Sequence, residues 1–596
     1  MRFDINLARL GSGEHLSGNT YGNWRGPGID VSLGAGEAAQ AGNGKTMLIL
    51  AGQAHLAGAS ASLRPEQLLE RYSASGADFI TNLCGRFAIA VIDADRRQVL
   101  LANDRMSTYG WCYRTDGQII SFSDRADVIG NAGDISRQAV LAYLFQHVIP
   151  SPETIYSNVS RLPPAHRLLF SPAGSGLAPH WTPVFSEPGQ ADFSALKEEF
   201  RGLIETGIAR ELASSQAQGI GTFLSGGTDS STVTGMLRKI SGQPIRAYSI
   251  GFDVEGYDEM EYARIAARHF GVDHREYYLS PEDVLTGMPK VATHYDQPFG
   301  NSSAVAAYHC ARVAKEEGIS TLLAGDGGDE LFGGNSRYAK QRIFGWYEQI
   351  PGPVRRLVME PLLGDNELAE RVPLLSKAAS YIQQARVPMP DRLDMYNLLL
   401  RLGLHEVLTP EFLSQVNANE IRACQRATYE KCASPYQINR MLAFDWKYTL
   451  ADNDLPKVIG TTDLAGISVG FPLLTDELID FSLRLPAEYK LKGLQLRWFF
   501  KEALRDFLPE QIITKKKQGF GLPFGVWALR HDALRRLAED ALNSFGERGV
   551  IRANFIKRLR EELLPAHPGY YGELAWIITM LEFWIRDRAP NFRLDH

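Results

Sequence analysis

Three short strings hold the residue types and spacings that could do chemistry. The first, Thr222-Phe-Leu-Ser-Gly-Gly-Thr-Asp-Ser-Ser231, follows the apolar run Ile220 to Leu224 and precedes Val233, Met236, Leu237 and Ile240 at helical spacing. That order is strand, glycine turn, helix. Gly226 and Gly227 let the backbone turn sharply, and the amides of the helix start, with Ser225, Ser230 and Ser231, form a cup for phosphate oxygens. We read Leu224, Ser225, Gly226, Gly227, Asp229 and Ser230 as a nucleotide-binding loop. It lacks the Gly-Lys-Ser/Thr ending of a Walker loop, so no lysine within it reaches a terminal phosphate. Asp229 beside a phosphate would be repelled unless a hard cation such as Mg²⁺ lay between them. The second string, Thr321-Leu-Leu-Ala-Gly-Asp-Gly-Gly-Asp-Glu-Leu-Phe-Gly-Gly334, runs an apolar strand into Gly325, Gly327 and Gly328, flanked by Asp326 and Asp329. The third, Thr514-Lys-Lys-Lys-Gln-Gly-Phe-Gly-Leu-Pro523, carries a lysine run.

The elements that must position these strings alternate. Ala195 to Ala213 has helical periodicity, Gly221 to Leu224 and Arg246 to Phe252 read as strands, and Tyr257 to His274 reads as a helix stopped by Gly271. Such units predict a parallel sheet with ligands at the strands' carboxyl ends, where Ile250 and Gly251 can offer backbone groups to an adenine edge. His274 is expected to be a packed or capping residue. Gly345 to Lys431 is amphipathic helix broken by prolines, and Leu574 to Trp584 supplies a C-terminal helical cap. Residues 1–185 read as strands with loops, among them Thr46 to Ala51, Phe87 to Asp93 and Gln98 to Ala102. Ser171 to Phe193 has the composition of a linker, which divides the chain into 1–185 and 186–596.

Composition bounds the function classes. A chain of 596 residues with 44% hydrophobic and 22% charged content is expected to be soluble and to hold two domains. No run approaches the roughly 18 apolar residues of a membrane span, and Met1-Arg-Phe-Asp-Ile-Asn6 has no export-signal pattern, so a cytoplasmic location is expected. The net charge of −6 gives no pull toward nucleic acid. Five scattered cysteines predict buried free thiols, with no disulfide framework or zinc site.

Ser225-Gly-Gly-Thr-Asp-Ser230 resembles the pyrophosphatase loop of the N-type ATP pyrophosphatases. From about Phe193 to about Arg586 the chain resembles the synthetase domain of asparagine synthetases and their amide-forming relatives. Leu83-Cys-Gly-Arg-Phe-Ala-Ile-Ala-Val-Ile-Asp93, Leu101 to Arg105 and Ile119 to Ser123 are similar to those enzymes' glutaminase domain. The resemblance implies an α/β protein: an N-terminal α+β Ntn-hydrolase-like domain, then a parallel-sheet ATP-pyrophosphatase (adenine nucleotide α-hydrolase-like) domain with a helical C-terminal part. It implies ATP and Mg²⁺ as cofactors, with Gly325 in the nucleotide set and Asp329 joining Asp229 on the metal. Asp326 falls where asparagine synthetases carry a glutamate and β-lactam synthetases a tyrosine, and an acid there could deprotonate an attacking amine. Lys517 matches the family lysine that screens developing charge, while Lys515 and Lys516 are expected on a solvated face. Asp296, Ser302 and Ser303 match a segment that lines the nucleotide cleft.

Three departures shape the expected function. The family's nucleophilic cysteine follows the initiator Met, where this chain has Arg2, and Ala51-Gly52-Gln53 stands where the family reads Asn-Gly-Glu. The first domain is therefore expected to be inactive toward glutamine. Gly470 takes the place of an arginine that would clamp a small dicarboxylate, which points to a different acyl substrate. The resemblance then implies an ATP-dependent ligase that adenylates a carboxylate, releases pyrophosphate and couples the acyl group to an amine. The sharper expectation is a lasso peptide cyclase-like macrolactam ligase acting on a precursor peptide supplied with a partner protease. The alternative is an ammonia-dependent asparagine synthetase or a related amidotransferase acting on another acid.

Overall fold

The computed structural model describes residues 5–10, 22–26, 29–33, 39–42, 45–59, 61–116, 119–171, 173–187, 192–214, 219–355, 357, 373–516 and 521–594. Its organising element is a five-stranded sheet built from Ile220–Phe223, Arg246–Phe252, Asp273–Leu279, Thr321–Leu323 and Ser468–Gly470. Every neighbouring pair is parallel. The third, second and first strands lie in that order on one side, and the fourth and fifth extend the sheet from the first strand in the other direction. The connections therefore diverge at Ile220–Phe223, and the loops at the carboxyl ends of the first and fourth strands open a crevice. Both glycine strings leave the sheet at that crevice.

Apolar side chains on consecutive residues make these strands buried on two faces. Leu322 packs with Cys310, Ala311 and Ala314 of the helix Ala304–Glu316, whereas Leu323 packs with Phe200, Val233 and Leu237. Alternation along a strand sends such neighbours to opposite faces, and each buried leucine stabilises the fold by about 2 kcal/mol. The predicted helix over 257–274 is shorter in the structure, Met260–Phe270, with Gly271 in the left-handed conformation at φ 61°. His274 belongs to the next strand, where its Nε2 lies 2.7 Å from Ser249 Oγ, and burial lowers its pKa.

Two six-stranded antiparallel sheets make up the N-terminal part. Thr46–Leu56, Leu83–Asp93, Gln98–Asn103 and His166–Ser171 belong to one, and Cys112–Thr115 and Ile119–Ser123 to the other. Ile49, Ala90 and Leu101 meet Trp111, Ile120 and Phe122 between the sheets. Leu48, Leu50, Ile89 and Val91, one residue out of phase, meet Leu68, Leu69 and Tyr72 of the helix Pro65–Ser75. The stretch expected as a linker from Ser171 contains a strand, Gly174–Pro179, paired with His166–Ser171, so its Ser-Pro-Ala-Gly composition marks a hairpin. Four cysteines are buried, Cys424 is exposed, and all five are free. Among the described residues no helix is long and apolar enough to cross a membrane.

The expected C-terminal cap is a buried helix, Pro568–Arg588, that ties the two parts together. Its Trp576 and Trp584 indoles donate to the Gly300 and Tyr295 carbonyls, and its Ile577 carbonyl accepts from Tyr143 of the N-terminal part. A charged seam joins them elsewhere. Asp476 accepts from Gly85 N at 2.5 Å and lies 2.8 Å from Arg105 Nε, and Arg161 lies 2.6 Å from Asp296. Asp296, expected in the nucleotide cleft, faces the antiparallel sheets, drawn there by the Arg161 and Arg125 guanidinium groups and the Ala126 amide.

Candidate active site

The first glycine string adopts a tight loop between the strand Ile220–Phe223 and the helix Thr228–Ser241. Leu224 is anchored on both sides: its amide donates to Tyr248 O at 2.8 Å and its carbonyl accepts from Ser249 Oγ. Gly226 has φ 68°, and a Cβ there would lie 2.4 Å from Ala263 N, so only glycine lets the loop press against the helix Met260–Phe270. Ser225 N donates to Ser230 Oγ at 3.1 Å, and the two hydroxyls are 3.0 Å apart. Gly227 is the N-cap, which leaves the first-turn amides of the helix directed at the cup. Ile250 pairs with Tyr277 in the adjacent strand, with its side chain among the residues around Leu322.

The second string docks directly on the first. A Cβ on Gly325 would lie 2.7 Å from Ser230 N, and one on Gly328 2.2 Å from Asp229 Oδ1. The close approach brings Asp229 and Asp329 to a common point, occupied by a cation from a third segment. Arg497 Nη1 lies 2.6 and 2.5 Å from the two Asp229 oxygens and 2.9 Å from Asp329 Oδ1. Burial alone would lower the Arg497 pKa, but the two carboxylates raise it above its ordinary value. No group of three or more acidic, histidine or cysteine side chains able to hold a metal occurs among the described residues. The two converging carboxylates nonetheless suit Mg²⁺, which takes one or two carboxylates and completes its shell with substrate phosphates and water.

Asp326 lies outside the Arg497 ion pair but still feels the Asp229 charge, which helps to raise its pKa. Burial pushes its carboxyl up to about 6, against the pull of Lys457 and with a contribution from Asp454. Lys457 Nζ lies 3.8 Å from Asp326 Oδ1 and 3.0 Å from Asp454 Oδ1. A carboxyl poised near 6 beside a cleft is suited to proton transfer near neutrality.

One expectation needs correction. Lys515, expected on a solvated face, has a side chain only 8% exposed, lies 3.2 Å from Glu259 and donates to Gly226 O at 3.4 Å. The Glu259 carboxylate and the Tyr262 ring together draw it inward, and burial lowers its pKa. Near Gly470 a guanidinium from the other part of the chain is already committed to an acid. Arg86 donates to Val469 O at 3.0 Å and pairs with Glu211 at 3.0 Å, and a Cβ on Gly470 would lie 2.6 Å from Glu211 Oε2. Lys517 lies outside the described residues. Arg497 escaped the sequence reading, which placed Lys457 only at the end of a segment resembling the family's carboxylate-substrate region. The available signal for Arg497 was a lone cation set between Leu496 and Trp498-Phe-Phe, where a buried charge requires acidic partners from elsewhere.

A fold that places a phosphate cup and paired acids at the divergence of a parallel sheet defines a nucleotide-handling α/β protein. Residues 199–586 match the Asparagine synthase family, and residues 56–181 match the Glutamine amidotransferase domain. The chain is 24% identical over 466 residues to asparagine synthetase [glutamine-hydrolyzing] 1 of Bacillus subtilis, covering 78% of this chain and 71% of that protein. It is 26% identical over 409 residues to a putative asparagine synthetase [glutamine-hydrolyzing] 2 of Methanocaldococcus jannaschii, covering 66% and 75%. A putative asparagine synthetase of Mycobacterium bovis is 23% identical over 474 residues, covering 78% and 70%. The chain belongs to the asparagine synthase family. Its members are ATP-dependent amide ligases that release AMP and pyrophosphate, and this protein is a carbon–nitrogen ligase of that kind.

Proposed function

We propose that this ligase adenylates a substrate carboxylate and couples it to an amine that does not derive from glutamine, closing a macrolactam within one peptide. The observation that carries the ligase reading is the convergence of Asp229 and Asp329 beside the Ser225–Ser230 cup. Ser225, Ser230 and the first-turn amides hold the pyrophosphate portion of ATP, and Leu224, Ile250 and Gly325 flank the nucleoside. Asp229 and Asp329 would hold Mg²⁺, which when bound neutralises phosphate charge. The substrate carboxylate attacks the α-phosphorus, pyrophosphate leaves, and the amine then displaces AMP from the acyl carbon. Asp326, kept near the amine's working pH by burial and Lys457, takes the proton that the amine sheds. Lys517 screens the charge on the acyl oxygen.

Two features support independence from glutamine. Ala51 and Gln53 replace the amide and carboxylate that hold glutamine in the resemblance, and Gln53 Oε1 accepts from Ser62 at 3.4 Å. The thiols of Cys84 and Cys112, in the antiparallel sheets, are both pushed up to about 12 by burial, so neither supplies a thiolate for hydrolysis. Exchange of labelled pyrophosphate into ATP, screened over aspartate and acidic peptides, tests the reading. Exchange with a peptide, and a product lighter than that peptide by one water, supports the cyclase. Exchange with aspartate, and asparagine formed from ammonium, replaces it with the ammonia-dependent synthetase. Product formation driven by glutamine refutes the nitrogen source.

A further inference from the structure

We propose that Arg497 is the resident cation of the Asp229–Asp329 pair and that, while it stays, a divalent ion cannot take both acids in the absence of nucleotide. The inference rests on the assignment of that pair to metal binding. Two carboxylates held this close repel each other, and a single guanidinium nitrogen within 2.9 Å of both offsets that repulsion. Its side chain is 9% exposed, so the ion pair is little screened by water.

The surroundings are built to keep the guanidinium there. Arg497 has a left-handed backbone at φ 52°, an unfavourable conformation for a residue with a side chain. Its amide is fixed by the Gly333 carbonyl at 3.1 Å and the Lys490 carbonyl at 2.9 Å, and its own carbonyl accepts from Lys501 N at 3.0 Å. The guanidinium carbon lies 5.6 Å from the centroid of the Phe500 ring. Gly334 leaves the necessary space, because a Cβ there would lie 1.7 Å from Asp329 Oδ1 and 2.7 Å from Arg497 Nε. Backbone, ring and glycine thus hold one cation on one point, and that point is where a second cation would have to bind both acids. Arg497 is a positioning residue in this account: it keeps the acids together, and it delays metal entry until something else engages it or the acids.

The test uses the full chain, stripped with EDTA and free of nucleotide, with Mn²⁺ as the probe and its free EPR signal as the readout. Wild type should bind Mn²⁺ weakly, and its melting temperature should not respond to millimolar Mg²⁺. Arg497→Met should melt lower in EDTA, bind Mn²⁺ at least about tenfold tighter, and regain melting temperature when either metal is added. Arg497→Lys, which keeps a cation, should behave as the wild type, and Asp229→Asn on the Met background should abolish the gain. Tight Mn²⁺ binding by nucleotide-free wild type overturns the inference whether or not the variants fold. So does a folded Arg497→Met that binds no tighter than the wild type. Pyrophosphate exchange by the wild type distinguishes the two failures: if it persists, only the inference falls, and if it is absent, the metal–nucleotide assignment falls with it.

Discussion

Replacing Asp326 with asparagine should separate the two halves of the reaction. Burial moves this carboxyl from its ordinary 3.8 to about 6, a displacement of about 2 units or about 3 kcal/mol. A base of that pKa is mostly ionised at pH 7 and mostly protonated at pH 5, so wild-type amide formation should fall about tenfold between them. Asp326→Asn should lower amide formation at pH 7 by about 10²- to 10⁴-fold, the range for a lost general base. Pyrophosphate exchange needs no proton from the amine and should stay within about twofold of the wild type. Lys457→Met removes the charge that holds the pKa down and should move the midpoint above 6. The stability effect has the opposite sense. The folded chain retains a proton that the unfolded chain has lost, so this group's stabilising contribution is complete below about pH 4 and disappears as pH rises through about 6. The variant should gain stability relative to wild type between pH 4 and pH 7. Thermal melts and parallel exchange and product assays over pH 5–8, with any acid that supports exchange, measure both effects. Equal loss of exchange and amide formation, or a wild-type rate flat from pH 5 to pH 7, would refute the assignment of Asp326 as the base.

Asp229→Asn should reduce pyrophosphate exchange at least about a hundredfold at saturating ATP and Mg²⁺, because the several kcal/mol of metal charge stabilisation depend on that oxygen pair. Retention of wild-type exchange would place the metal elsewhere. Gly334→Ala inserts a Cβ 1.7 Å from Asp329 Oδ1, and the displaced acid should cost about 1–3 kcal/mol in a denaturant melt and suppress exchange. Asp476→Ala leaves the Gly85 amide without this acceptor and Arg105 with the Asp480 carboxylate and the Trp181 ring; a loss of about 3 kcal/mol is expected by denaturant unfolding.

The parts of the site that were legible in sequence are those written locally. Strand, glycine turn and helix around Ser225–Ser230 are encoded by an apolar run, two glycines and a 3.6-residue period between Ile220 and Ile240, so their order follows from the string alone. The overlong helix at 257–274 shows the limit: Gly271 signalled the stop, but the strand after it exists because Asp273–Leu279 pairs with Arg246–Phe252, a non-local event. Lys515 was misplaced for the same reason. A lysine run resembles a wet surface until Glu259 and Gly226 O, more than two hundred residues earlier, are seen against it.

Arg497 was least legible and matters most to the electrostatics. Separated from Asp229 by 268 positions and flanked by apolar residues, it has no motif of its own. Its position follows from the sheet's strand order: the first and fourth strands lie side by side, so their loops deliver Asp229 and Asp329 to one crevice from far apart in sequence. Two acids forced together create a demand for positive charge that the fold must meet from a third segment. A cation supplied by the chain meets it continuously, whereas a diffusible metal would leave the crevice repulsive whenever it was absent. Glycines at 328 and 334 leave the space that arrangement requires. The sequence feature that predicts a metal site, acids converging among glycines, is therefore also the feature that calls for a buried arginine.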